Sequence, residues 1–451
     1  MIKKLLACAL VIVFALSFIT AFAQPEASPE QNNTEQSATV EAKSPHILLA
    51  DMNTGLVVYS KAAGERVFPS GLTTVMTALL VLEKCNLEEL VTATEAAVAS
   101  VSAGDNKLGI VKDEKLTVRQ LLYAMLLSSS VDATNLLAEK VAGSIDEFVK
   151  LMNARAQELG MTNTNFTNPT GAHDERHYTT AEDMAILVRL AMKNESFREI
   201  VKAQSYMIPA TEKSPVSRKI TNKNHLVSNL LRNDYYYKYA TGIKTGYSGI
   251  AKSCIAASAE KNGISLLALV FEAETEDNVA HGFNDCRTLF DYVFSNYEIQ
   301  TIAKKDAVIA QTGIEHTRRD KKLILKSQEK ITVLRPKNSA NPEITFEDHL
   351  PQKVSAPIKK DQVIGEREYF ANGVSIGRYN LVAEKNYNLD PITFVVNKII
   401  DFVTSPWLFL AIAVFVFLLI MKERRRRRIL RKKRMEARRQ RNRELIKKME
   451  I

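Results

Sequence analysis

Nucleophilic chemistry in this chain would have to come from serine. Ser70 follows Pro69 in the run Phe68-Pro69-Ser70-Gly71-Leu72-Thr73-Thr74, and Ser128-Ser129-Ser130 stands just before Val131. A serine hydroxyl becomes a nucleophile only beside a base, and on a helix that base must sit about one turn on, on the same face. From Ser70 the third and fourth residues on are Thr73 and Thr74, neither of which accepts a proton at neutral pH. The nearest lysines, Lys61 and Lys84, lie off the first helical turn. No base is placed for Ser128 or Ser130 either, and no spacing supports a serine-histidine-aspartate triad. His173, Asp174 and His177 are of the types that ligate metals. Lys244-Thr245-Gly246 gathers a cation, a hydroxyl and a small residue, but three letters alone are a weak motif. Cys8, Cys85, Cys254 and Cys286 are too few and too scattered for a disulfide framework or a CxxC metal site.

Any such chemistry depends on the elements that hold these residues. HILLAD, a turn at Asn53-Thr54-Gly55 and LVVYSK predict a β-hairpin starting near Ser44. Leu72, Val75, Met76, Leu79 and Leu80 recur at helical spacing, which predicts a buried helix beginning just after Pro69. Thr117 and Gln120 form a capping box ahead of Val118, Leu121, Leu122, Met125 and Leu126. Ser144 and Glu147 open another helix, which Gly160 closes. Strand-like runs follow at about 244–257 and 264–271, then a helix at about 278–294. Helices between an early hairpin and late strands imply an antiparallel sheet covered by helices. From 297 to 383 short β-rich stretches broken by Gly, Pro and Asn predict a small separate β domain. No internal repeat is present.

The 451 residues allow two or three folded units, and 46% hydrophobic with 25% charged residues excludes a purely disordered, collagenous or coiled-coil chain. The formal net charge of +10 is local: residues 422–451 carry sixteen Lys/Arg against four Glu, a net of +12, which leaves the other 421 residues at −2. A globally basic nucleic-acid binder is therefore disfavoured, and no nucleic-acid partner is expected. Residues 1–23, two lysines and an apolar run ending in Ala21-Phe22-Ala23, read as an export signal. Residues 24–43 hold no aromatic and, alanines aside, only Val40 as an aliphatic, so they read as a disordered linker. Residues 402–421 are uncharged and long enough for the ~30 Å hydrocarbon core, with Trp407 as an outer interfacial anchor. The arginines that follow at once put the C-terminus in the cytoplasm and the rest outside, as a single-pass cell-membrane protein. The basic tail at 422–451 then sets topology and touches anionic lipid or a cytoplasmic partner.

Four segments in order, LLADMNTGLVVYSKAAGERVFPSGLTTVMTALL, LLYAMLLSSSVDATNLLAE, NFTNPTGAHDERHYTTAEDMA and TGIKTGYS, closely resemble the D-alanyl-D-alanine carboxypeptidases. These low-molecular-mass penicillin-binding proteins trim peptidoglycan stem peptides. APIKKDQVIGE and VSIGRYNLVAE resemble the family's C-terminal β domain. The resemblance implies an α/β (α+β) fold of the β-lactamase/transpeptidase type, an antiparallel sheet covered by helices, over 44–297 and a small all-β domain over 298–385; the membrane helix read from hydropathy at 402–421 would follow them. It implies no cofactor, and no metal, since the family carries a loop like 173–177 beside its site.

The family's chemistry needs S-x-x-K, S-x-N and K-T-G converging on one cleft. The first motif lands with Gly71 at the nucleophile position and Thr74 at the base position. The second keeps its serine as Ser129 but has Val131 for asparagine, and the third, Lys244-Thr245-Gly246, is intact. Losing nucleophile or base in such a unit lowers the rate on the order of a million-fold. The expectation is a catalytically inactive cell-wall binding or scaffolding module that binds stem peptides ending in D-Ala-D-Ala weakly, through Ser129, Lys244, Thr245 and Gly246. The other reading, an active carboxypeptidase, needs Ser70, Ser128 or Ser130 as a substitute nucleophile.

Overall fold

The computed structural model describes residues 40–449, so the expected export signal and nearly all of the expected linker lie outside the described residues. The hairpin forms as β1 (His46–Asp51) and β2 (Val57–Lys61). With β3 (Ala240–Ser248), β4 (Lys252–Lys261) and β5 (Ile264–Ala273) it builds a five-stranded antiparallel sheet in the order β2-β1-β5-β4-β3. β5 is apolar at successive positions rather than alternating, and nearly all of it is buried. A strand of that pattern must be covered on both faces. The strand that carries Lys244-Thr245-Gly246, β3, is an edge strand of the sheet.

The helices follow the hydrophobic spacing, with one local difference. Ser70–Thr73 form a single 3-10 turn, and the α-helix proper, α1, runs from Thr74 to Lys84. The capping box is made as expected: Thr117 and Gln120 satisfy each other's backbone N–H groups at the start of α2 (Val118–Ser128). α3 (Val131–Ala142) follows after two residues, and α4 (Ile145–Glu158) is capped by the Ser144 side chain. Gly160 takes a left-handed φ of +77° just past the end of α4, as a helix stop requires. α5 (Ala181–Ala191) and α6 (Glu195–Lys202) precede the late strands, and α7 (His281–Asn296) packs on β4 and β5. Cys85, Cys254 and Cys286 are free thiols, and burial pushes Cys254 up to about 12, so it stays protonated.

The residues just ahead of β1 are fastened to the fold. The carboxylate of Asp285, nearly buried on α7, accepts hydrogen bonds from Lys43 N at 3.1 Å, Ser44 N at 2.8 Å and Ser44 Oγ at 2.5 Å. These tie the entry of β1 to a helix 241 residues later in the chain. Removing a buried acceptor leaves its donors desolvated without a partner, at about 1–3 kcal/mol each at most. Asp285→Ala should therefore lower Tm by about 5–10 °C, at about 2–4 °C per kcal/mol for a domain of this size, and Asp285→Asn should recover part of it. An unchanged thermal melt for Asp285→Ala would show that the clamp contributes nothing.

Beyond α7 the chain turns to β structure. Tyr297–Ala303 pairs with Ile331–Pro336, and six further strands between Val308 and Ala383 form a mixed, mostly antiparallel sheet over a core that includes Leu323, Leu325, Leu381 and Tyr387. α8 (Pro391–Thr404) and α9 (Pro406–Met449) close the described chain. The apolar stretch expected as one segment over 402–421 is divided, since Phe402, Val403 and Thr404 end α8. Pro406 disfavours the helical conformation at the residue before it, and Ser405 is extended (φ −62°, ψ +129°). The helix apolar and long enough to cross a membrane starts at Pro406.

Candidate active site

Gly71 sits in the 3-10 turn directly against the edge strand. A Cβ at residue 71 would stand 3.1 Å from both Thr245 O and the Cα of Gly246, and a Cβ at residue 246 would run into Gly71 N. Glycine at both positions lets the start of the helix and the strand edge touch backbone to backbone. Thr74, buried, donates its Oγ1 hydrogen bond to Gly71 O at 2.7 Å. The positions expected for nucleophile and base, Gly71 and Thr74, thus carry no side chain that could act as either. Ser70 is bent into the left-handed region at φ +48°, and Gly171, at φ +82°, has no room for a Cβ because the Ser70 carbonyl fills that space. Among the described residues, no base stands within hydrogen-bond reach of Ser70 Oγ.

The second and third motifs do meet. α2 ends in Ser129, whose left-handed backbone (φ +58°, ψ +41°) turns the chain into α3. Lys244 Nζ donates to Ser129 Oγ at 2.5 Å and to Thr245 O at 2.9 Å. Among the described residues no carboxylate neutralises this ammonium, which is 1% exposed; burial and the nearby Lys223 push it down to about 7. Lys223, itself lowered by burial, donates to Asn106 Oδ1. Val131 opens α3 with its N–H on Asn106 O at 2.8 Å, and carries an isopropyl group where the resemblance leads one to expect an amide. Ser128 Oγ donates to Ala124 O at 2.8 Å and lies 2.8 Å from Ser130 Oγ, so these hydroxyls are occupied with each other and with the helix.

The residues with metal-ligand chemistry do three separate jobs. His177 Nδ1 accepts from Thr167 N at 3.1 Å, so the ring proton is on Nε2, which donates to Thr73 Oγ1 at 2.9 Å. Burial pushes its pKa down to about 4, which keeps the imidazole neutral. His173 stacks edge-on against Phe68 at 4.7 Å, and Asp174 pairs with Arg176 at 2.9 Å. Among the described residues, no three His, Cys, Asp or Glu side chains are gathered to hold a metal ion. Sequence reading brought Gly71, Ser129, Lys244, Thr245 and Gly246 to one place, and the structure joins them there. It did not foresee that His177 orients the turn through Thr73, or that Lys223 and Asn106 flank Lys244. The turn residue Gly171 was the one local signal that the 168–177 loop closes on Ser70.

Comparison with known proteins gives a consistent result. Residues 31–275 match the family model described as D-alanyl-D-alanine carboxypeptidase, and residues 297–388 match that of the penicillin-binding protein 5 C-terminal domain. The D-alanyl-D-alanine carboxypeptidase DacF of Bacillus subtilis is 33% identical over 372 residues, covering 80% of this chain and 89% of that protein. DacC of Escherichia coli is 29% identical, covering 82% and 90%. Among solved structures, a peptidoglycan synthesis regulatory factor (PBP3) from Streptococcus pneumoniae superposes with a TM-score of 0.65 at 23% identity, over 77% of this chain and all of that one, which speaks to fold alone.

Proposed function

The chain belongs to the D-alanyl-D-alanine carboxypeptidase family, and from that premise we propose that it is a non-catalytic member that binds or scaffolds at the cell wall. Gly71 carries the reading: the residue that should attack has no side chain, and its Cα is packed on the strand where the substrate should lie. Thr74 Oγ1 is held by Gly71 O and cannot serve as a base. The α9 helix, with the arginine cluster at its cytoplasmic end, supports a membrane-anchored protein with its folded domains outside.

What survives is half of an anion site. Ser129 at the end of α2 and Lys244 and Thr245 on the edge strand, which is able to pair with an extended peptide, are the groups offered to a stem peptide's terminal carboxylate in this reading. A charge-assisted hydrogen bond contributes about 1.5–3 kcal/mol, while Val131 and the Gly71–Gly246 contact work against the peptide. Affinity for a peptide ending in D-Ala-D-Ala should thus lie at roughly millimolar to tens of micromolar. Because Lys244 ionises near 7 when the site is empty, a carboxylate that needs the ammonium should bind about tenfold or more tightly at pH 6 than at pH 9. Titration of the exterior domains with an N-acetylated pentapeptide at both pH values tests this. Equal affinity at the two pH values, or no binding at either, would remove the peptide from the reading.

A further inference from the structure

α9 runs unbroken from Pro406 to Met449 and holds neither Gly nor Pro after Pro406, so its apolar part and its basic part are one rod. Residues 422–442 carry thirteen Lys/Arg against two Glu. At about 100° per residue these cations stand on every side of the axis, with no gap wider than about 60°. Among the described residues of this stretch the one ion pair is Arg427 with Glu423 at 3.2 Å. Arg427 with Arg431, Arg428 with Lys432 and Arg434 with Arg438 are like charges four apart, which repel along a helix. A rod of this kind needs an external polyanion.

Distance limits what lipid can supply. A headgroup layer of about 5–8 Å and a Debye length of about 8 Å carry lipid charge roughly 15 Å past the apolar segment. At 1.5 Å per residue that reaches about as far as Arg431. Lipid therefore serves the cluster at 422–428, while Arg431–Arg434 stand about 15–20 Å and Arg438 and Arg439 about 25–27 Å beyond Met421. A protein partner would need an apolar centre on one side. The apolar residues here, Ile429, Leu430 and Met435, are half or more exposed and point about 100–140° apart, so they form no such face.

Phosphates meet both requirements. Those on the two walls of a duplex groove reach cations on opposite sides of one helix, whose diameter of about 10–12 Å matches a major groove about 12 Å wide. Five of the seven cations at 431–441 are arginines, the side chain suited to bidentate phosphate pairing. The net charge of −2 on the other 421 residues gives the rest of the chain no such attraction and does not bear on this segment. We propose that residues 431–441 bind the phosphate backbone of a cytoplasmic nucleic acid, tying the far end of a cell-wall protein to a polyanion inside the cell. The proposal rests on α9 crossing the membrane with its basic end in the cytoplasm.

The full chain is placed in nanodiscs of phosphatidylcholine, with and without phosphatidylserine, and titrated with fluorescein-labelled duplex DNA or duplex RNA about two helical turns long. Anisotropy is followed as salt rises through the physiological range. The logarithm of affinity should fall against that of salt with a slope of about −5 or steeper. Tighter binding of one duplex names the source of the phosphates. Arg431→Gln, Lys432→Gln, Lys433→Gln, Arg434→Gln, Arg438→Gln and Arg439→Gln together should flatten the slope by about 3 or more and weaken binding about a hundredfold or more. Lysine at the four arginine positions should keep most of the slope. Binding unchanged by the six glutamines, or none to either duplex at physiological salt, overturns the proposal. So does binding abolished by phosphatidylserine, since the whole tail then lies on lipid. A tag after Ile451 tests the premise apart: protease added to intact cells should spare it, and its loss would remove topology and proposal together.

Discussion

Purified protein left with excess penicillin should gain no mass, at any pH between 6 and 9, because acylation requires an oxygen nucleophile that residue 71 does not have. In serine hydrolases the loss of nucleophile or base lowers turnover on the order of a million-fold, and losing both adds little, since they act as a unit. Gly71→Ser with Thr74→Lys restores both groups, and some labelling should return, detectable by intact mass. The recovery should be partial for a geometric reason. A Cβ at residue 71 meets Thr245 O and Gly246 Cα at 3.1 Å, so the edge strand must yield by a few tenths of an ångström before the serine fits. Gly71 does not occupy the left-handed region, so the backbone itself accepts a side chain there. Adding Val131→Asn should raise labelling further by returning a hydrogen-bonding amide at the start of α3. One penicillin mass on the unmodified protein would overturn the non-catalytic reading. Peptide mapping to Ser70, Ser128 or Ser130 would then identify the substitute nucleophile.

Replacing Lys244 with methionine should act in opposite directions on stability and on binding. The ammonium is buried without a carboxylate, and its pKa in the folded state is lowered from 10.5 to about 7. For a base with a lowered folded pKa, the unfolded chain binds more protons between those two values, so stability rises with pH across that window. The penalty is fully present below about pH 7 and is relieved as pH climbs towards the ordinary lysine value. Lys244→Met, close in length and uncharged, removes the penalty, so the variant should melt above the natural protein at pH 6. That advantage should shrink by pH 9.5, where the natural protein has lost the charge as well. Each 1 kcal/mol of difference moves Tm by about 2–4 °C. The same substitution removes the charge that meets the peptide carboxylate and should weaken D-Ala-D-Ala peptide binding by about tenfold or more. A variant that melts lower at pH 6 and binds peptide unchanged would show that Lys244 is kept for packing alone.

Much of this protein is local in its chain. Leu72, Val75, Met76, Leu79 and Leu80 specify α1 through spacing, and Thr117 with Gln120 specifies where α2 begins, because the bonds involved span one or two turns. That residues 71, 74 and 131 cannot supply a nucleophile, a base or an amide is likewise a property of their side chains, legible before any folding is considered. Tertiary structure decided what those absences leave behind. The Gly71–Gly246 contact, the Lys244–Ser129 bond across 115 residues and the Thr73–His177 bond across 104 each join distant segments, so no local spacing encodes them. Whether Lys244 had a carboxylate partner was equally open in the sequence, which contains 51 acidic residues and no indication of which one would fold beside it. Burial without such a partner is a property of the folded surroundings, and it is burial that lowers the pKa of Lys244.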